Sequence, residues 1–512
     1  MFWQSYLIDM KLRHALAVLP LLLVSPVFAD ELPDLGDVSQ ATLSLRQEKE
    51  LGLQIMSEIR ADPAYLDDAE IAGYLTTLGN KLILGSREAR PEQEFEFFTV
   101  QDPAINAFAL PGGFMGFNTG LILAAQSESE LAGVMAHEIA HVTQKHLARM
   151  IAGQKYSMLT SLAAMALAVL ASRANPQAAE AVLVGSQARQ IQSQLDFTRD
   201  HEKEADRIGM NILVSAGFDP HGMAAFFEHL QKAGRFQENG APSYLRTHPI
   251  TYERIADVEN RIQITPYRQV TDSLDFQLVR AKVRAYLEKP GDAVKYFESV
   301  LRDKRYTSEA VERYGLVNAL LQDKKYLRAD KELARLYTAL QSDGANGGLE
   351  NHRLGSTIRI ERKASSSSPM IETLAAQVKF EAGQIEEAFD IYQAALKIYP
   401  QHRALVYGYT DALLRSRHVD TALKFVSQQL RFTPNDARLY TLQAQSYEAL
   451  GDNMSQHRAQ AEAYARQGDF SAAAEQLQIA LRTNSGDFYQ NSSTEARLKE
   501  LRELAANKAK KK

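Results

Sequence analysis

Residues 136–146 read AHEIAHVTQKH. The reading of His137-Glu138-Ile139-Ala140-His141 within them decides what the first half of the chain is built around. On an α-helix His137 and His141 project from one face, so both imidazoles can reach a single ion. Glu138 stands about 100° around the helix, beside that ion rather than on it. A metal-activated water with a carboxylate next to it to take its proton needs this arrangement, together with a third protein ligand and an open fourth position. The five-residue pattern alone also recurs by chance in unrelated helices. The flanking sequence therefore carries the decision.

Upstream, residues 94–124 are β-rich. In FEFFTV, Phe95, Phe97, Phe98 and Val100 suit a half-buried strand, Pro111-Gly112-Gly113 is a turn, and FMGFNTG fits a second strand. A helix then starts near Ser127 or Ser129, with Glu128 and Glu130 in its first turn. Leu131, Val134, Met135, Ile139 and Val142 carry it through the two histidines, so the pair lies on a buried helix. Downstream, FTRDHEKEADRIGMNIL (residues 197–213) offers third ligands. Ala205, Ile208, Gly209, Ile212 and Leu213 define its buried face, and Glu204 points well away from it. His201 and Glu202 both flank that face, and periodicity does not separate them. Asp206, one turn further along the side of Glu202, favours Glu202, because a carboxylate there could orient a ligand histidine through its free ring nitrogen. Between the two segments, MLTSLAAMALAVLA (158–171) reads as an apolar helix too short to span a bilayer unaided. It is either a core helix or a lid or membrane-surface element near the site.

From about residue 275 the grammar is periodic. GQIEEAFDIYQAALKIYP aligns with RHVDTALKFVSQQLRFTP so that Ala388 falls on Ala422 and Pro400 on Pro434, each offset by 34 residues. Gly451 continues the series Gly383, Arg417, and Ala293, Ala329 and Ala473 mark the same small position in other copies. A 34-residue helix–turn–helix with small residues at the crossing is the tetratricopeptide repeat, a scaffold whose concave surface binds other chains. The spacing slips where the Gly/Ser-rich stretch 341–368 intervenes, which reads as an irregular connection.

The N-terminal region has the grammar of an export leader. Lys11 and Arg13 precede an apolar run Ala15–Val24 and a small-residue cleavage site, Val27-Phe28-Ala29. The nine residues before Met10 read as an upstream start or a long n-region. Export makes the zero cysteine count informative, because an oxidising compartment permits disulfides and none is used. Any metal must then be held by His and carboxylate. A net charge of −5 gives no support to nucleic-acid binding. A bacterial periplasm fits these features best, with at most peripheral membrane contact.

Taken together and in this order, NAFALPGGFMGFNTGLI, HEIAH, HEKEAD and THPITYER resemble the metallopeptidases related to the CAAX prenyl-protein proteases. With an export leader and C-terminal tetratricopeptide repeats, the resemblance is to the periplasmic β-barrel assembly-enhancing branch of that family, and it covers essentially the whole mature chain. It implies one Zn²⁺ per chain held by His137, His141 and Glu202, with Glu138 as general base and Asp206 supporting a ligand. It also implies that His248 and Arg254 approach the site as further catalytic residues. His248 would cap the zinc at rest, or swing away and donate to the oxyanion. The stretch 341–368 departs from the pattern and bears on the number of repeats and the shape of the pocket.

The fold expected is mainly α, an N-terminal α+β zincin-like metallopeptidase domain followed by an α-solenoid of tetratricopeptide repeats. Its divisions are a leader (1–29), the peptidase (30–265), first repeat-like helices (275–340), a connection (341–368), repeats (369–485) and a tail (486–512). Extended clients are expected to add a strand beside Gly112, Gly113, Phe114, Met115, Gly116, Phe117 and Asn118, taken as an edge above the metal. Two functions are open. One is a zinc endopeptidase that degrades unfolded or misassembled outer-membrane proteins beside the outer-membrane β-barrel assembly machinery. The other is a mainly non-proteolytic repeat scaffold with a latent metal site.

Overall fold

The computed structural model describes residues 44–510, apart from 88, 90–92, 153–187, 236–242, 264, 266–267, 269, 347–367 and 484. The expected leader and the apolar segment 158–171 lie outside the described residues. Helix α1 (Leu45–Ala61) starts on a capping box between Ser44 and Gln47. Helix α2 (Ala69–Gly85) starts on Asp68, whose side chain accepts from the Glu70 and Ile71 amides. Three strands follow, β1 (Glu96–Val100), β2 (Ala107–Leu110) and β3 (Phe114–Asn118). Their order is β1-β3-β2, with β3 parallel to β1 and antiparallel to β2. The turn between β2 and β3 places Gly113 at φ +81°, where a Cβ would come 1.9 Å from the Glu94 carbonyl oxygen, so only glycine fits.

This order corrects the expected edge at 112–118. Strand β3 is central, paired on both sides, and every residue of it is buried. Ala107–Leu110, for which the sequence analysis names no separate element, is a strand and forms one edge of the sheet, with β1 at the other. The apolar run FMGFN after the turn fits a strand but carries no information on its neighbours. A proline at Met115 or Phe117 would break the sheet and so would not probe an edge.

Helix α3 (Thr119–Ala124) leads to α4 (Glu128–Thr143), capped by Ser127, with Leu131, Met135 and Ile139 fully buried. A sharp turn with Lys145 at φ +52° separates it from α5 (His146–Ala152). Helix α6 (Ala188–Ser215) crosses α4 so closely that a Cβ at Gly209 would lie 3.0 Å from the His137 nitrogen. Helices α7 (His221–Arg235), α8 (Ser243–Thr247) and α9 (Tyr252–Gln263) close this half.

The repeats comprise α10 (Leu274–Leu287), α11 (Pro290–Arg302), α12 (Glu309–Gln322), α13 (Tyr326–Asn346), α14 (Pro369–Glu381), α15 (Ile385–Ile398), α16 (Arg403–Arg415), α17 (Val419–Phe432), α18 (Ala437–Leu450), α19 (Asn453–Arg466) and α20 (Phe470–Arg482). Ala293, Ala329, Ala388, Ala422 and Ala473 are all fully buried, as helix crossings require. Gly383, Arg417 and Gly451 all take positive φ, at +83°, +63° and +76°, in equivalent turns. Two expectations change. Helix α13 runs to Asn346, so the first residues of the 341–368 connection are helical, and 347–367 lie outside the described residues. The 486–512 tail is instead mostly a helix, α21 (Phe488–Lys510), with Leu498 and Leu501 packed in a cluster with Leu477. Its leucine stripe at 498, 501 and 504 was hidden behind the lysine-rich end.

The two halves share buried polar contacts. Lys282 on α10 lies 2.7 Å from Asp68 and 2.6 Å from Glu70, and Tyr286 and Tyr314 donate to the same carboxylates. Glu128, in the first turn of α4, accepts from the Ser273 amide and hydroxyl that cap α10, and from Tyr74. Among the described residues no helix is long and apolar enough to cross a membrane.

Candidate metal centre

Four donors from three separate regions converge. His137 and His141 come from α4, Glu202 from α6 and His248 from the turn after α8, and their ligand atoms all lie within 4.8 Å of one another. His137 Nε2 is 3.0 Å from His141 Nε2, 3.3 Å from Glu202 Oε2 and 3.4 Å from His248 Nδ1. Glu202 Oε1 is 3.3 Å from His141 Nε2 and 3.0 Å from His248 Nδ1. A tetrahedron of bonds about 2.0–2.1 Å long has edges of about 3.3–3.4 Å, so this spacing is that of four ligands around one cation. Ring nitrogens facing each other so closely cannot all be satisfied by protons, and the residues fit a metal ion.

The electrostatics agree. Burial works against a charged His137, but the Asp206 and Glu202 carboxylates beside its ring outweigh it and raise its pKa to about 10. The site is therefore built to hold positive charge at that ring, as a proton or a metal ion. Burial lowers the pKa of His141 and outweighs the neighbouring Glu202. Burial likewise disfavours the Glu202 carboxylate, yet the imidazoles of His248 and His141 hold its pKa well below the ordinary range.

His137 Nδ1 lies 2.9 Å from Asp206 Oδ1. Arg254 grips Asp206 through two hydrogen bonds of 2.7 and 2.8 Å, reaches Glu202 at 2.9 Å and donates to the Pro249 carbonyl. Arg254 is thus committed to two carboxylates behind the cluster. His141 turns its other nitrogen to His146 Nδ1 at 2.9 Å, and His146 Nε2 reaches Glu204 at 3.1 Å. Burial, reinforced by nearby His141, lowers the His146 pKa to about 2, so that ring is neutral. Glu138 Oε1 is buried and accepts no hydrogen bond among the described residues, and His248 Nε2 stands 3.5 Å away. Tyr244 stacks on His248 with ring centres 4.7 Å apart, and its hydroxyl is buried without a hydrogen-bond partner among the described residues.

The alternative between His201 and Glu202 is decided by the crossing of α6 over α4. Glu202 enters the cluster, while the His201 ring stacks on His146 at 4.3 Å outside it. The stretch 112–118 supplies core and the central strand rather than a ligand or an edge. Sequence reasoning missed His146 and Tyr244. His146 lies inside the opening stretch, but an unbroken helix would carry it off the ligand face.

Residues 70–262 match the model of peptidase family M48, and residues 379–446 match that of a tetratricopeptide repeat. The chain is 37% identical over 308 residues to the putative β-barrel assembly-enhancing protease of Vibrio cholerae, which spans 60% of this chain and 63% of that protein. It is 30% identical over 487 residues to the β-barrel assembly-enhancing protease of Escherichia coli K12, spanning 94% of each. It is 32% identical over 155 residues to the mitochondrial metalloendopeptidase OMA1 of Arabidopsis thaliana, 30% of this chain and 29% of that one.

Proposed function

This chain belongs to the family of β-barrel assembly-enhancing proteases, and from that premise we propose that it is a periplasmic zinc endopeptidase of outer-membrane protein quality control. It degrades misassembled clients and, through its repeats, holds others for the β-barrel assembly machinery. The observation that carries the catalytic part is the four-donor cluster with a buried carboxylate beside it, Glu138, whose Oε1 accepts no hydrogen bond among the described residues. In this reading residues 30–265 are the peptidase and 275–485 the binding scaffold. His137, His141 and Glu202 are the zinc ligands.

When bound, a zinc ion would polarise the scissile carbonyl and lower the pKa of a water molecule. Glu138 takes the proton of the attacking water and returns it to the leaving amine. Asp206 holds the His137 ring with Nε2 turned inward, and Arg254 keeps Asp206 and Glu202 ionised and oriented, so Arg254 acts by positioning. Metal content of the purified mature protein, measured alongside casein cleavage, tests the reading. One zinc per chain with hydrolysis supports it, and a chain that binds no zinc overturns it.

His248 serves as a brake, because its Nδ1 stands where a fourth ligand would close the site. A closed four-ligand site performs no hydrolysis. His248→Ala should therefore raise basal casein cleavage and self-cleavage at unchanged zinc content. A rate lowered by about 10²-fold at full zinc occupancy would instead assign His248 to the oxyanion.

Extended clients pair with β2, the edge strand that packs against α4. The register pairs Phe108 with Gly116, and Asn118 donates to the Asn106 carbonyl. The alternate residues, Ala107 and Ala109, therefore turn their backbone groups outward. Ala107 is buried and Ala109 is partly exposed, so Ala109 offers the accessible donor. Ala109→Pro removes it and is expected to lower kcat/KM by about tenfold, the worth of one hydrogen bond, with zinc content intact. Unchanged cleavage would remove β2 from client binding.

A further inference from the structure

We propose that His146 is a positioning residue that fixes the tautomer and ring orientation of His141, anchored in turn by Glu204. The proposal rests on the reading of His137, His141 and Glu202 as metal ligands.

His141 Nε2 faces the donor cluster, so its proton sits on Nδ1, which points at His146 Nδ1 at 2.9 Å. Two ring nitrogens in contact can bond only as one N–H and one lone pair. His146 Nδ1 must then be the bare acceptor, and its own proton lies on Nε2. That nitrogen is 3.1 Å from Glu204 Oε2, a carboxylate that accepts and does not donate, and Arg149 holds the same oxygen at 2.9 Å. Every donor in the chain His141, His146, Glu204 meets an acceptor in one direction only. If His146 carried its proton on Nδ1, it would face the Nδ1–H of His141, and its bare Nε2 would face a carboxylate lone pair. The His201 ring, stacked at 4.3 Å and 9° from parallel, sets the plane of His146.

The backbone is shaped for this contact. On a continuous helix a residue five places on stands about 140° around the axis. Helix α4 ends at Thr143, and Lys145 takes φ +52°, a region L-residues seldom occupy, which folds the chain back so that His146 meets His141. The two ligand histidines thus have unlike supports. His137 leans on the Asp206 carboxylate, whereas His141 leans on an imidazole, His146.

The test measures zinc affinity of the full chain by chelator competition, with melting of each variant stripped of metal as a check on folding. His146→Leu should weaken zinc binding by about 10–100-fold, the usual cost of losing a ligand's outer partner. His146→Gln should stay within a few-fold of wild type, because its amide can accept from His141 and donate to Glu204. A residue that merely filled space would rank these the other way, since Leu packs at least as well as Gln. Glu204 is half-buried, and Glu204→Leu, its fold checked by the same melting measurement, should weaken zinc in the same direction as His146→Leu. Wild-type affinity in either Leu variant, or a Gln variant as weak as His146→Leu, overturns the proposal. Failure of the wild-type chain itself to bind zinc would mark the metal reading, and not only this residue, as wrong.

Discussion

Glu138→Gln is expected to keep one metal ion per chain and to lower peptide hydrolysis by about 10²–10⁴-fold, the usual contribution of a positioned general base. Three features of the residue lead there. It lies one place along α4 from His137 and so beside the donor cluster rather than in it. It is buried, its Oε1 accepts no hydrogen bond among the described residues and His248 Nε2 stands 3.5 Å from it, so glutamine of the same shape can take its place. What the amide cannot do is accept a proton from water. Casein cleavage, with metal content measured on the same sample, checks both halves. A rate above a tenth of wild type would remove Glu138 as the base, and loss of the metal would make it a ligand instead. The same variant separates the two functional readings, since holding clients on the repeats should survive the loss of hydrolysis.

Lys282→Met is expected to cost about 3–5 kcal/mol of stability, the penalty for removing one partner of a buried ion pair. Lys282 is buried between Asp68 and Glu70, where α10 of the repeats meets α2 of the peptidase. Methionine replaces its stem but leaves two buried carboxylates without their cation. The pH dependence has a defined sign. Burial opposes the Asp68 charge, but Lys282 outweighs it and lowers the pKa below 3.8. That contribution is therefore complete above the unfolded value and lost as pH falls through the lower folded one. Burial likewise opposes the Lys282 charge, but Glu70 and its neighbours raise its pKa well above 10.5. Its contribution is complete below the unfolded value and lost as pH rises through the folded one. Urea unfolding at about pH 5 and about pH 9 should therefore give the same loss. A loss under about 1 kcal/mol, the level of an exposed pair, would show that the junction does not depend on this contact.

Features local to one element were legible in the sequence. Helical geometry puts His137 and His141 on one face wherever the helix lies. A serine start to that helix was readable as Ser127 or Ser129, and the structure uses Ser127, whose hydroxyl satisfies an otherwise orphaned amide. The 34-residue recurrence of small residues shows the solenoid, since each copy repeats the same crossing and the same turn. The buried face Ala205, Ile208, Ile212 and Leu213 was also readable, for each of these is buried against the core.

Where elements distant in the chain meet, periodicity within each did not decide the outcome. Periodicity left His201 and Glu202 level, and the choice fell to the angle at which α6 crosses α4, made possible by close approach at Gly209. The apolar run after the Pro-Gly-Gly turn identified β3 but not that β2 and β1 cover both its edges, because strand order depends on pairing with residues elsewhere in the chain. Asp206 and Arg254 are 48 residues apart and were linked only by folding. His146 sat in the first stretch quoted, yet the angular rule that found His141 places His146 off the face. Only the break at Lys145 brings it back, and a backbone conformation that a lysine seldom adopts is held by the contacts around it, not by its own preference.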